Sequence, residues 1–240
     1  MSCTHARYKN IWPYDYSRVR LNTPDDDEGD YINASFVQPR GTARRYIATQ
    51  GPMDSTFKDF WTLIWEQQVS VIVMLTKQFE GGLVKCGNYW DQEQYGPFRV
   101  SLVSQTGGED KKPDASTGFD FGMSFNSPGA SEAPPPQNIR RVFTLTRSDR
   151  PSEPARKVVQ VQCTAWPDFD VPDTPDILVD LMRDVDEASN ETAPANAEDR
   201  ADCPPVLVHC ECDDMSKVMV AHVQVLPESV VQELSSWSTL

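Results

Sequence analysis

The stretch VLVHCECDDMSKV, residues 206–218, ends a β-branched apolar run with His209 and Cys210, then places three acids in the next four positions. A cysteine closing a buried strand is where a phosphate-binding nucleophile would sit. The thiolate is the reactive form, and a following loop that opens a helix can present backbone N–H groups to an anion. Glu211, Asp213 and Asp214 oppose that chemistry, because like charge repels a phosphate and raises the pKa of a neighbouring thiol. Cys203, His209, Cys210, Cys212, Asp213 and the more distant His222 are also metal-ligand types. Adjacent and alternate ligands rarely wrap a tetrahedral ion, however, and the six cysteines show no CxxC pairs. No metal and no other cofactor is expected. Taken alone, Trp166-Pro167-Asp168 reads as an ordinary turn, and Glu80 and Lys85 read as solvated surface charges.

The elements that must position these groups can be read from periodicity. In FKDFWTLIWEQQ (57–68), Phe57, Phe60, Trp61, Ile64 and Trp65 recur at spacings of three and four, the stripe of an amphipathic helix. VSVIVMLT (69–76) follows at once and suits a strand buried on both faces. Further strands are expected at 46–49, 98–103, 141–147, 157–166 and 206–210, and a second amphipathic helix at 177–185 with Pro175 near its start. A helix feeding a central strand implies an α/β fold. The Gly, Ser and Pro content of 104–138 is too poor in apolar surface to order itself, so a disordered insertion between strands is expected there, and an exposed loop at 187–205.

Composition narrows the function classes. The chain has 240 residues, 39% of them hydrophobic, which suits one domain with a real core. Its net charge of −14 repels nucleic acid and anionic membrane surfaces, so neither is expected as a partner. The longest apolar run, near 69–75, is far short of the ~20 residues that span a bilayer. MSCTHARYKN at the start has no apolar secretory segment, which points to a cytoplasmic location, or a nuclear one, with the cysteines as thiols. Nothing in the sequence signals an oligomeric state.

Eight segments in chain order resemble motifs of the classical protein tyrosine phosphatases. They are RYKNIWPYDYSRVRL (7–21), DYINASFV (30–37), YIATQGP (46–52), FWTLIWE (60–66), IVMLT (72–76), KCGNYW (85–90), WPDFDVP (166–172) and VLVHC (206–210). The resemblance implies a twisted mixed β-sheet flanked by helices and hydrolysis of phosphotyrosine through a cysteinyl-phosphate intermediate. Cys210 would be the nucleophile, His209 would orient its loop and tune the thiol, and Asp168 would be the general acid on a mobile loop. Tyr8 would pack against a phosphotyrosine ring, Asn10 would bind the peptide backbone of the substrate, Lys85 would sit at the rim near Asp168, and Glu80 would support the signature arginine. The partner implied is a phosphotyrosine protein or peptide. Asp30, Tyr31, Asn33, Gln50, Gly51, Pro52, Trp61 and Trp65 would form scaffold.

The resemblance ends at Cys210. The family follows its cysteine with small residues and glycines, then arginine and a hydroxyl residue. Here Glu211, Cys212, Asp213, Asp214 and Met215 fill the loop, Ser216 stands at the arginine position and Lys217 at the hydroxyl position. Asp170 also stands where a glycine is usual. A serine cannot replace the bidentate charge of arginine on a phosphate dianion. Each acid facing the substrate at ~4 Å would cost about 4 kcal/mol at an effective dielectric of ~20. The expectation is a phosphatase-like domain whose C-terminal helical part is missing or replaced by an atypical tail, 211–240, and which lacks significant activity. The alternative is a pseudophosphatase that binds phosphotyrosine peptides or proteins without turnover.

Overall fold

In the computed structural model of the chain, the residues described are 12–22, 29–80, 83–108, 138–166, 172, 174–195 and 203–210. The first helix, α1 (Phe57–Glu66), follows a 3-10 turn at Asp54–Thr56 and buries Phe57, Phe60, Trp61, Leu63, Ile64 and Trp65. This is the predicted stripe with Leu63 added. The polypeptide then enters β4 (Val71–Met74), all four residues of which are buried. A strand covered on both faces has no solvated side, which is why its sequence runs apolar without alternation.

The other strands are β1 (Arg18–Arg20), β2 (Tyr31–Val37), β3 (Tyr46–Gln50), β5 (Phe79–Glu80), β6 (Leu83–Val84), β7 (Gln94–Tyr95), β8 (Phe98–Thr106), β9 (Ile139–Arg147), β10 (Arg156–Gln162) and β11 (Val206–Cys210). Nine of them form one sheet in the order β1-β2-β3-β11-β4-β10-β9-β8-β7, while β5 and β6 pair as a separate hairpin. The middle of the sheet is parallel, β3 with β11, β11 with β4 and β4 with β10, and the flanks are antiparallel. The fold is therefore the expected α/β arrangement with a mixed sheet. β11 lies at its centre, although it is the last of these strands in the sequence.

Strand alternation sorts the sheet into two cores. Leu207, Ile72, Met74 and Val158 face α1, whereas Val206, Val208, Cys210, Val71, Val73, Val159 and Val161 face the second helix, α2 (Pro175–Thr192). The alternation of KVVQVQ suggests a half-solvated strand, yet Gln160 and Gln162 are fully buried. They lie on the α1 face and are satisfied by hydrogen bonds instead of water.

α2 has proline in its first turn, as expected, but it continues to Thr192, seven residues beyond the apolar stripe and into the segment expected to be an exposed loop. Polar side chains carry the extension. Ser189 and Thr192 donate to the carbonyls four residues back, at 2.7 and 2.8 Å, and Glu191 pairs with Arg140 and Lys157 of the sheet. β8 likewise runs to Thr106, inside the predicted insertion, while residues 109–137 lie outside those described.

Four of the residues expected to be scaffold, Asp30, Asn33, Gln50 and Trp61, make structural contacts. Asp30 receives both Arg18 and Arg20, Asn33 donates to Gln50 at 3.2 Å, and the Trp61 indole donates to the Tyr89 carbonyl at 2.9 Å.

Candidate active site

Parallel strands release their loops at one edge of a sheet, and the carboxyl ends of β3, β11, β4 and β10 gather there. The described segments that leave this edge are Gly51-Pro52, Leu75-Thr76-Lys77 and Cys163 to Trp166, and β11 ends there at Cys210. Cys210 is level with Gln50 on one side, and His209 is level with Met74 on the other. Two backbone bonds hold this end in place: Gly51 N–H to the Cys210 carbonyl at 2.7 Å, and Leu75 N–H to the His209 carbonyl at 2.9 Å.

Cys210 and His209 point to opposite faces, as successive strand residues must. Cys210, 4% exposed, joins the α2-side core. His209 is fully buried on the α1 side, its ring 5.9 Å from that of Phe60 and 5.5 Å from that of Tyr89. Its Nε2 lies 3.0 Å from the Tyr89 hydroxyl. Burial pushes the Tyr89 pKa well above its usual range, so the phenol stays protonated and able to donate.

Glu80 and Lys85 lie on and just beyond the β5–β6 hairpin. The Lys85 N–H donates to the Gln78 carbonyl at 2.9 Å, which extends the hairpin ladder by one more pair. One Glu80 carboxylate oxygen, Oε1, is 4.0 Å from Lys77 Nζ; the other, Oε2, is buried and has no hydrogen-bond partner among the described residues. The structure thus brings His209 and Cys210 together at one strand end, with Glu80 and Lys85 on the neighbouring hairpin. Tyr8, Asn10 and Asp168 lie outside the described residues, as do residues 211–217. Trp166, 2% exposed, is buried in the α2-side core and is the last described residue before Asp168.

Sequence reasoning did not single out four residues of the site. Tyr89 contacts His209, Gln160 contacts Tyr89, Arg141 contacts Gln160, and Cys86 packs beside Gly51. A buried glutamine on a central strand was the available signal, because such a side chain needs a partner. Cys86, Cys163, Cys203 and Cys210 carry thiols, and burial raises the Cys163 pKa. Among the described residues no three His, Cys, Asp or Glu side chains gather to hold a metal ion, and no helix is long and apolar enough to cross a membrane.

A family model for protein-tyrosine phosphatase matches residues 3–212. Over 209 residues the chain is 36% identical to receptor-type tyrosine-protein phosphatase V of Rattus norvegicus, covering 85% of this chain and 10% of that protein. It is 34% identical over 207 residues to receptor-type tyrosine-protein phosphatase eta of Mus musculus, covering 85% of this chain and 14% of that protein. Against tyrosine-protein phosphatase non-receptor type 9 of Mus musculus the identity is 32% over 208 residues, 85% of this chain and 31% of that protein. The chain spans a tenth to a third of the length of these relatives.

Proposed function

Because the chain belongs to the protein-tyrosine phosphatase family, we propose that it keeps the nucleophile strand of a phosphotyrosine phosphatase but does not turn substrate over. The observation that carries this reading is Ser216 at the arginine position, behind a loop of acids. Without a guanidinium there is no bidentate clamp on the phosphoryl oxygens and no compensation for their charge. The buried Oε2 of Glu80, without a hydrogen-bond partner among the described residues, supports the same reading. In the family the acid matched by Glu80 supports the signature arginine, and the sequence carries serine where that guanidinium is expected. Cys210 would be the nucleophile and Asp168 the general acid if the loop were complete. A reducing compartment, cytoplasmic or nuclear, suits a fold built around a thiol nucleophile.

The test is hydrolysis of a generic aryl phosphate by the purified chain, with Cys210→Ser as control. Turnover no greater than the control is expected; turnover that the control abolishes would overturn the reading.

A second reading, a phosphotyrosine-binding module, is favoured by the intact RYKN stretch carrying Tyr8 and Asn10. It requires that a phosphotyrosine peptide bind in calorimetry and that Tyr8→Ala abolish the binding. An absence of heat with the unmodified chain removes it.

A further inference from the structure

A directed chain of hydrogen bonds runs across the α1 face of the sheet and ends on His209. It begins at Arg141 of β9, 3% exposed and directly opposite Gln160 of β10. The Arg141 guanidinium lies 4.5 Å from the centre of the Trp90 ring and donates to the Gln105, Gln160 and Gln162 side-chain oxygens, at 2.8, 2.7 and 2.7 Å. Gln160 Nε2 lies 2.5 Å from the Tyr89 hydroxyl, which in turn lies 3.0 Å from His209 Nε2. Gln160 and His209 are both fully buried.

The chemistry of each group leaves one direction for this chain. A guanidinium only donates, so the Gln160 side chain must turn its oxygen to Arg141 and its NH2 group to Tyr89. The amide then donates to the phenol oxygen, and the phenol hydrogen goes to the remaining partner, His209 Nε2. A ring nitrogen that accepts carries no hydrogen, so neutral His209 holds its proton on Nδ1. We infer that Arg141 is a positioning residue for the nucleophile strand, fixing the tautomer of His209 through Gln160 and Tyr89. The burial of every link strengthens the polarisation passed along the chain.

This inference rests on the reading of His209-Cys210 as the nucleophile dipeptide, but its readout involves no turnover. Failure of the activity reading and failure of this one are therefore separable. Long-range proton–nitrogen NMR of chain labelled with nitrogen-15 histidine, at neutral pH, reports which ring nitrogen is protonated. The unmodified chain should show His209 as the Nδ1–H form. Gln160→Glu keeps the shape and the bond to Arg141, but a carboxylate only accepts. Tyr89 must then donate to the introduced carboxylate and accept from His209, so the signal should change to the Nε2–H form. A merely structural role for Gln160 would not reverse it. An Nε2–H form in the unmodified chain, or the same tautomer in both folded proteins, would overturn the inference. Should Gln160→Glu fail to fold, Tyr89→Phe removes the phenol donor. The single Nδ1–H signal should then give way to an average of the two forms, and its persistence would equally overturn the inference.

Discussion

The N–H of Gly51 donates a 2.7 Å hydrogen bond to the carbonyl oxygen of Cys210, fastening the end of β11 to the turn after β3. A methyl group at position 51 would meet that oxygen at 3.4 Å and Cys86 Sγ at 3.5 Å, ordinary contact distances. Gly87, in the segment beside it, is different. A Cβ there would come within 2.7 Å of the Phe57 ring and 3.0 Å of the Pro52 carbonyl oxygen. Gly51→Ala is expected to cost less than about 1 kcal/mol and Gly87→Ala about 1–3 kcal/mol through overpacking. Urea unfolding of the two variants measures this, and equal losses would contradict the geometry.

Tyr89 joins Gln160 to His209 in the core, so Tyr89→Phe leaves two buried polar groups short of a bond. At pH 7 the expected loss is about 1–3 kcal/mol. Burial, the largest cause, holds the folded-state pKa well above the ordinary 10.0. The unfolded chain can therefore release this proton at a pH where the folded chain cannot. The stability linked to it is intact below about 10 and is lost as pH rises beyond that. The gap between the unmodified chain and Tyr89→Phe should narrow above that point in chemical denaturation. A gap that stays constant would mean that Tyr89 is not held neutral.

The parts of the fold that could be read from sequence were those with a strong period or an unbroken apolar run. The α1 stripe and the strand 206–210 are placed where expected, and the Pro175 start of α2 follows from a position suited to a helix's first turn. The second half of α2 was hidden because Ser189, Glu191 and Thr192 hold it through hydrogen bonds and ion pairs, which leave no apolar period. β1, β5, β6 and β7, two or three residues each, are too short to carry a pattern. The order of the sheet was beyond reach for another reason. β11 inserts between β3 and β4, and a pairing across more than a hundred residues leaves no local mark. The same holds at the site. His209 and Cys210 announced themselves as neighbours in sequence, whereas Arg141, Gln160 and Tyr89 meet only when β9, β10 and the segment after β6 come together.

Asp30 takes hydrogen bonds from Arg18 at 3.1 and 3.0 Å and from Arg20 at 2.9 Å, and the Arg18 bond leads in holding its pKa below the ordinary 3.8. A depressed carboxylate stabilises the fold above its unfolded pKa and loses that contribution as pH falls through the folded value. Asp30→Asn should therefore be less stable than the unmodified chain near neutrality, by no more than about 1 kcal/mol because the side chain is 40% exposed and solvent screens the pair. The difference should fade as pH falls below 3.8. Urea midpoints across that range decide it, and a difference that persists in acid would assign the effect to packing.

Glu80 links the fold to the question of activity. Where an acid supports a catalytic arginine, its removal costs both the ion pair and the geometry of the site. Here Oε2 is buried without a hydrogen-bond partner among the described residues, and Lys77 is only within loose reach of Oε1 at 4.0 Å. A buried acceptor left unsatisfied is a cost to the folded state. Glu80→Ala removes that acceptor and should leave stability within about 0.5 kcal/mol of the unmodified chain, or raise it. Urea unfolding gives the answer. A loss above about 1 kcal/mol would mean that Glu80 is holding a cation after all. Lys217 would then be the first residue to vary, because it lies one position past Ser216, where the family keeps its arginine.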